Sequence, residues 1–200
     1  MPRLVLATRN QHKLVELRNI LTATAVTSEL VSADSFPEVE DVPETGLTFT
    51  ENALIKARAL SWATGFPALA DDSGLCVKVL NGMPGVLSAR WAGRHGDDQA
   101  NLELLLAQLS DMPDEHRTAW YTCAAALVLP DGTERVTEGT LRGTLLREPV
   151  GDGGFAYDPI MQPQGETRTT AEMSLTEKNT ICHRGSAFRA LAPAIIELVG

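Results

Sequence analysis

Two successive acids end an otherwise apolar run at Ala70-Asp71-Asp72-Ser73-Gly74-Leu75. Carboxylates at the end of a strand that reads as buried are costly unless they are solvated, hydrogen-bonded or bound to a cation. Mg²⁺ suits them, because it takes one or two carboxylates and fills its other positions with phosphate oxygens and water. The same residues also read as an acidic surface turn, since Asp and Gly favour turns in their own right. A second constellation lies at Thr8-Arg9-Asn10-Gln11-His12-Lys13. A polar loop leading into a helix can hold phosphate through backbone N–H groups, the helix dipole and a lysine. The spacing is not Gly-x-x-x-x-Gly-Lys-[Ser/Thr], and an Asn-capped helix start accounts for it as well.

Three further groups carry usable chemistry. Glu44 lies just before a helix on which Asn52 and Lys56, four apart, share a face; capping and a solvated face are the alternative. Glu51 is explained by its place in a capping box and is left out of the site. In Gly153-Gly154-Phe155-Ala156-Tyr157-Asp158-Pro159 two aromatics beside paired glycines can stack on a nucleobase, or can anchor a turn in the core. Lys178 and Cys182-His183-Arg184-Gly185 supply cations, though a His-Arg pair is commonly a surface feature or a charge pair at a helix C-terminus. The histidines, His12, His95, His116 and His183, form no zinc pattern. Ser73-Gly74 lacks the Gly-x-Ser-x-Gly of a nucleophile elbow.

The elements that must position these residues follow from periodicity. Arg3 to Ala7 reads as a buried strand, and Leu14, Leu17 and Leu21 give the helix after it. Val26 to Val31 reads as a second strand and Ala33 to Gly46 as an acidic surface loop. Thr48 and Glu51 open a helix to about Thr64, which Gly65 stops. Pro67 to Asp71 and Leu75 to Leu80 read as two strand segments split by Asp72-Ser73-Gly74. Asp97 to Leu109 is helical. Thr118 to Leu129 and Arg135 to Leu146 form a long hairpin around Asp131-Gly132. Ser174 and Glu177 open a short helix, and Phe188, Leu191, Ile195 and Leu198 mark a C-terminal one that Pro193 is expected to kink or restart. Together these predict an α/β fold, a mixed sheet with helices on its faces.

The 200 residues suit one large domain or two small lobes sharing a core. A net charge of -9 and a pI near 4.9 argue against a broad nucleic-acid surface. An anionic small substrate then needs locally concentrated cations or a metal. Cys76, Cys123 and Cys182 are expected to be reduced, buried thiols. Leu4 to Ala7 is too short for a signal peptide or a membrane span, so the expected location is the cytoplasm, with no membrane partner.

Taken in order, Thr8-x-Asn10-x-x-Lys13, Glu44-Thr45-Gly46-Leu47-Thr48-Phe49-x-Glu51-Asn52-Ala53, Ala70 to Leu75, Gly153 to Pro159 and Cys182-His183-Arg184-Gly185 resemble the inosine triphosphate pyrophosphatase family in its bacterial RdgB-like branch. The resemblance runs from Leu4 to about Leu198. It implies an α/β fold with a long central mixed β-sheet flanked by helices, two lobes around a nucleotide cleft, and a homodimer. It also implies hydrolysis of non-standard purine triphosphates such as dITP, ITP and XTP to the monophosphate and pyrophosphate. By the same resemblance Thr8, Arg9, Asn10, Gln11, His12, Lys13 and Lys56 bind the triphosphate. Asp72 is the catalytic acid/base and a metal ligand, and Glu44 helps to hold Mg²⁺. Ser73, Phe155, Ala156, Tyr157, Asp158, Lys178, His183 and Arg184 contact substrate. Departures are Pro43, where some relatives carry a second acid, Ala156 for a common glycine, and Cys182 for a frequent serine. Different readings of the same residues are a non-catalytic nucleotide sensor and a pyrophosphatase for other modified nucleotides.

Overall fold

Alternation along the strands decides which helix covers which face. The computed structural model describes residues 2–8 and 11–200, and the side chains of residues 11–13 lie outside that description. In chain order it contains β1 (Arg3–Leu6), α1 (Gln11–Ala23), β2 (Glu29–Ser32), α2 (Phe49–Thr64), β3 (Ala68–Val77), α3 (Asp98–Gln108), β4 (Thr118–Val128), β5 (Glu134–Leu145), β6 (Met161–Pro163), α4 (Leu175–Ile181) and α5 (His183–Val199), with short 3₁₀ turns between. Among the described residues the sheet has six strands in the order β2-β1-β3-β4-β5-β6. It is mixed, since β1 runs parallel to β2 and β3 while β5 and β6 are antiparallel.

By compactness the chain forms two units. One comprises Met1–Asp72, Cys123–Gly139 and His183–Gly200; the other comprises Ser73–Thr122 and Thr140–Cys182. In the first unit, Leu4, Leu6, Leu69, Cys123, Ala125 and Leu127 point to one face, where α1 and α5 pack through Leu17, Leu21, Phe188 and Leu191. The residues between them, Ala70, Ala124, Ala126 and Val128, point to the other face and meet Ala53 and Ala57 of α2. A strand sends successive side chains to opposite faces, so the large residues take two helices and the alanines let α2 lie close. In the second unit, Leu75, Val77, Leu102, Leu105, Tyr121, Leu145, Tyr157 and Ile160 form a separate core.

Two sequence expectations are corrected. Asp72-Ser73-Gly74 does not split a strand; β3 runs unbroken from Ala68 to Val77. The reason is electrostatic. Both acids find cationic partners inside the protein, so neither has to turn out to water. Pro193 does not restart the last helix, which continues through it as α5 to Val199. Packing of the buried Ala192 and Ile195 on either side of it outweighs one missing backbone hydrogen bond. The strand β6 carries no signal of its own, being three residues long. Cys76, Cys123 and Cys182 are buried and none forms a disulfide. No helix among the described residues is long and apolar enough to cross a membrane.

Candidate active site

Topology marks the place before any side chain does. From β1 the chain goes through α1 to β2 on one side, then through α2 to β3 on the other. In open α/β sheets ligands bind outside the carboxyl ends of strands at such a reversal. Leu6 is paired with Leu69; Thr8 follows the end of β1 and Asp72 lies three residues beyond Leu69. Arg9 and Asn10 lie outside the described residues, as do the side chains of Gln11, His12 and Lys13, whose backbone opens α1.

Asp71 and Asp72 share a strand and therefore face opposite ways. Asp72 lies on the Ala70 side, towards α2, and is 8% exposed. Lys56 Nζ donates to Asp72 Oδ1 at 3.1 Å and to Glu44 Oε1 at 2.8 Å. Asn52 Nδ2 donates to Asp72 Oδ2 at 3.2 Å. The helix presents Asn52 and Lys56 on one face because they are four apart. Its start is fixed by the expected capping box, in which Glu51 N–H donates to Thr48 Oγ1 and Thr48 N–H donates to Glu51 Oε2. The loop carrying Glu44 is pressed against this start. A Cβ on Gly46 would stand 2.6 Å from Glu51 Cβ and 2.7 Å from Asn52 Oδ1, so only glycine fits.

Burial pushes the Asp72 carboxyl above its ordinary range; Lys56 pulls it back only in part, and Glu44 adds to the rise. Burial on its own would lower the Lys56 ammonium, but Asp72, Asp71 and Glu44 outweigh it and hold it above the usual lysine value. Two carboxylates thus converge on one cation in a poorly solvated place. Their oxygens suit a hard cation such as Mg²⁺. Among the described residues no three His, Cys, Asp or Glu side chains converge. The donor set therefore fits a metal that brings phosphate and water ligands with it and not one locked in a protein cage.

Asp71 points the other way, to the α1 and α5 face. Arg184 Nε donates to Asp71 Oδ2 at 3.1 Å and Nη1 donates to Glu16 Oε2 at 2.7 Å. All three side chains are almost fully buried. Burial opposes the guanidinium charge, yet Asp71 and Glu16 more than restore it. The reading of His183-Arg184 as a surface pair or a helix C-terminal pair is thereby corrected: both residues open α5 and are buried.

The second unit holds the aromatic part of the predicted set. Asp158 is its hub. It accepts from Phe155 N–H at 2.8 Å, Thr170 Oγ1 at 2.8 Å and Lys178 Nζ at 2.5 Å. The Tyr121 phenol bonded to it is pushed well up by burial and by the Asp158 charge, and so stays protonated. Lys178 Nζ sits 4.7 Å from the Phe155 ring centroid, a cation–π contact. Phe155 is half-exposed, beside a hollow of about 370 Å³ that Gly154, Ala156, Asp98 and Gln99 help to line. Tyr157 is the correction here. It is 1% exposed in the core and donates through its hydroxyl to Ser88 O at 2.9 Å, so of the two aromatics only Phe155 has an exposed ring. Ser73 follows Asp72 on β3, half-buried. In sequence, Asn52 and Asp71 stand within candidate motifs but gain no role of their own there, and nothing local marks Glu16.

An α/β protein with an acid–ammonium–acid cluster near a parallel-strand reversal is of the class that handles phosphorylated ligands together with a cation. The chain belongs to the Ham1 family, whose model matches residues 4–194. It is 66% identical over 200 residues, the full length of both chains, to a Streptomyces coelicolor protein named dITP/XTP pyrophosphatase. A crystal structure of a nucleoside-triphosphatase, also named dITP/XTP pyrophosphatase, from Mycobacterium abscessus is 54% identical, with TM-score 0.80 over 96% of this chain and 99% of that one. A HAM1 protein from Coxiella burnetii is 40% identical, with TM-score 0.90 over 98% and 100%.

Proposed function

We propose that this chain is a Mg²⁺-dependent pyrophosphatase that converts dITP, ITP and XTP to their monophosphates. The observation that carries the reading is the part-buried Glu44–Lys56–Asp72 cluster in a chain so similar, end to end, to relatives named dITP/XTP pyrophosphatase. Water attacks the α-phosphorus, the α–β anhydride bond breaks, and pyrophosphate leaves. Asp72 orients that water and takes its proton. A bound cation keeps this carboxyl in its charged form at neutral pH, the form that can accept a proton. Glu44 and Asp72 would hold the metal, which when bound neutralises triphosphate charge and polarises the phosphoryl oxygen. Lys56, released from the two acids, moves to the phosphates, joined by Lys13 and the rest of Thr8 to Lys13.

On the base side Phe155 stacks on the purine, with Ala156 and Ser73 beside the nucleotide and Lys178 held in place by Asp158. Hypoxanthine and xanthine carry a 6-oxo acceptor where adenine carries an amino donor. His183 and Arg184 Nη2, the nitrogen that neither ion pair uses, meet that oxygen. A site built on such bonds rejects a base that leaves buried groups unpaired. The two units together make up one catalytic domain. The enzyme works in the cytoplasm as a homodimer, with neither nucleic acid nor membrane as partner. Asp72→Asn is the direct test: pyrophosphate release from ITP collapses while the melting temperature holds, and near-normal turnover in the folded variant overturns the role of Asp72.

A further inference from the structure

We infer that Asn52 is a positioning residue that fixes both carboxylates of the proposed metal site, Asp72 directly and Glu44 through the backbone at Gly46. The inference rests on the reading of Asp72 and Glu44 given above. Asn52 is 0% exposed in the first turn of α2. Its Oδ1 accepts from Gly46 N–H at 2.7 Å, and its Nδ2 donates to Asp72 Oδ2 at 3.2 Å. The amide orientation follows from its partners. A backbone N–H can be met only by the amide oxygen, which leaves the NH₂ group for the carboxylate. Both ends of one short side chain are therefore committed, one to the loop and one to the strand.

The consequence for Asp72 is geometric. Its Oδ2 belongs to Asn52 and its Oδ1 to Lys56, so each oxygen has its own donor and the carboxylate plane is set. When Lys56 leaves for a phosphate, Asn52 is the donor that keeps Oδ1 facing the cation. The consequence for Glu44 runs through the chain. Gly46 is two residues on, and its contact with α2 is so close that a Cβ would collide with Asn52 Oδ1 at 2.7 Å. A loop clamped there delivers Glu44 to the same ammonium that Asp72 binds. Partners that orient metal ligands without touching the metal typically govern affinity or activity by 10–100-fold.

The test uses Asn52→Ala in the full chain, with three readouts: pyrophosphate release from ITP, Mn²⁺ binding without nucleotide by electron paramagnetic resonance, and thermal melting. The expected result is a kcat lowered about 100-fold, since a reacting group misplaced by an ångström costs that much. KM for ITP at saturating Mg²⁺ stays within about twofold, because phosphate and base contacts lie elsewhere. Mn²⁺ affinity weakens about tenfold, and adding Glu44→Gln to Asn52→Ala weakens it little further. Asn52→Asp supplies a second variant of the same shape that keeps the acceptor for Gly46 N–H but loses the donor to Asp72; its kcat also falls. A folded Asn52→Ala enzyme with unaltered Mn²⁺ affinity, or an Asn52→Asp enzyme with near wild-type kcat, overturns the inference. A wild-type protein that releases no pyrophosphate from ITP sinks the proposed function instead, and the Mn²⁺ comparison still judges Asn52.

Discussion

Replacing Arg184 by methionine should cost this protein more stability than its chemistry alone suggests. The side chain is 3% exposed on the first unit's larger-residue face, and its ion pairs to Glu16 and Asp71 are at 2.7 and 3.1 Å. Methionine fills much of the volume but takes the guanidinium away from two buried carboxylates. Breaking a buried pair in this one-sided way costs about 3–5 kcal/mol, or about 6–20 °C in melting temperature for a chain of this size. Urea unfolding followed by circular dichroism at pH 7 measures it. At pH 5 the loss should shrink, because a buried acid that has lost a neighbouring cation can be neutralised by taking up a proton. Folding then binds protons, and stability falls as pH rises. The triple variant with Asp71→Leu and Glu16→Met should be more stable than the single one, since all three members of the network are removed together. A single variant that loses less than about 1 kcal/mol, or whose loss is the same at pH 5 and pH 7, refutes the assignment of Arg184 to a buried charge network.

Lys56→Met removes the ammonium between the part-buried Glu44 and the buried Asp72, and with Glu44 screened by solvent a discounted loss of about 1–3 kcal/mol is expected without metal. Mg²⁺ should restore more of the melting temperature in this variant than in the wild type, by mass action on the metal-bound fold. Asp72 gives a pH prediction with a definite sign. Its folded pKa is raised, so its contribution to stability without metal is present below its unfolded pKa and lost as pH rises through the folded one. A cation favours the charged form, so the acid limb of the activity profile should move to lower pH as Mg²⁺ is increased. Ala156 sits at φ 53°, a left-handed conformation that costs an alanine about 1–2 kcal/mol. Glycine there loses about 0.4–1 kcal/mol through unfolded-chain entropy, leaving Ala156→Gly more stable by up to about 1.6 kcal/mol in calorimetry.

How legible the sequence was depended on whether a residue's role is local. The capping boxes at Thr48 and Ser174 were readable because cap and partner lie three residues apart. The strand β3 was misread at Asp72-Ser73-Gly74 because the partners that make burial tolerable, Lys56 and Arg184, lie 16 and 113 residues away. Glu16 gave no signal, since its place is set by α1 meeting α5. Phe155 and Tyr157 look alike in sequence. One is half-exposed and the other is core, and only the backbone through Ala156 decides between them. The resemblance gives Asp72 a role and Asp71 none, and the faces of the sheet add that Asp72 meets Lys56 while Asp71 meets Arg184.

The central claim is that this cluster hydrolyses the triphosphates of deaminated purines. Pyrophosphate release across ITP, XTP, dITP, ATP and GTP, with Mg²⁺ and with a chelator, tests it most directly. Release is expected from the first three, little from ATP, and none once Mg²⁺ is removed. Equal turnover of ATP and ITP, or undiminished turnover in chelator, would contradict it.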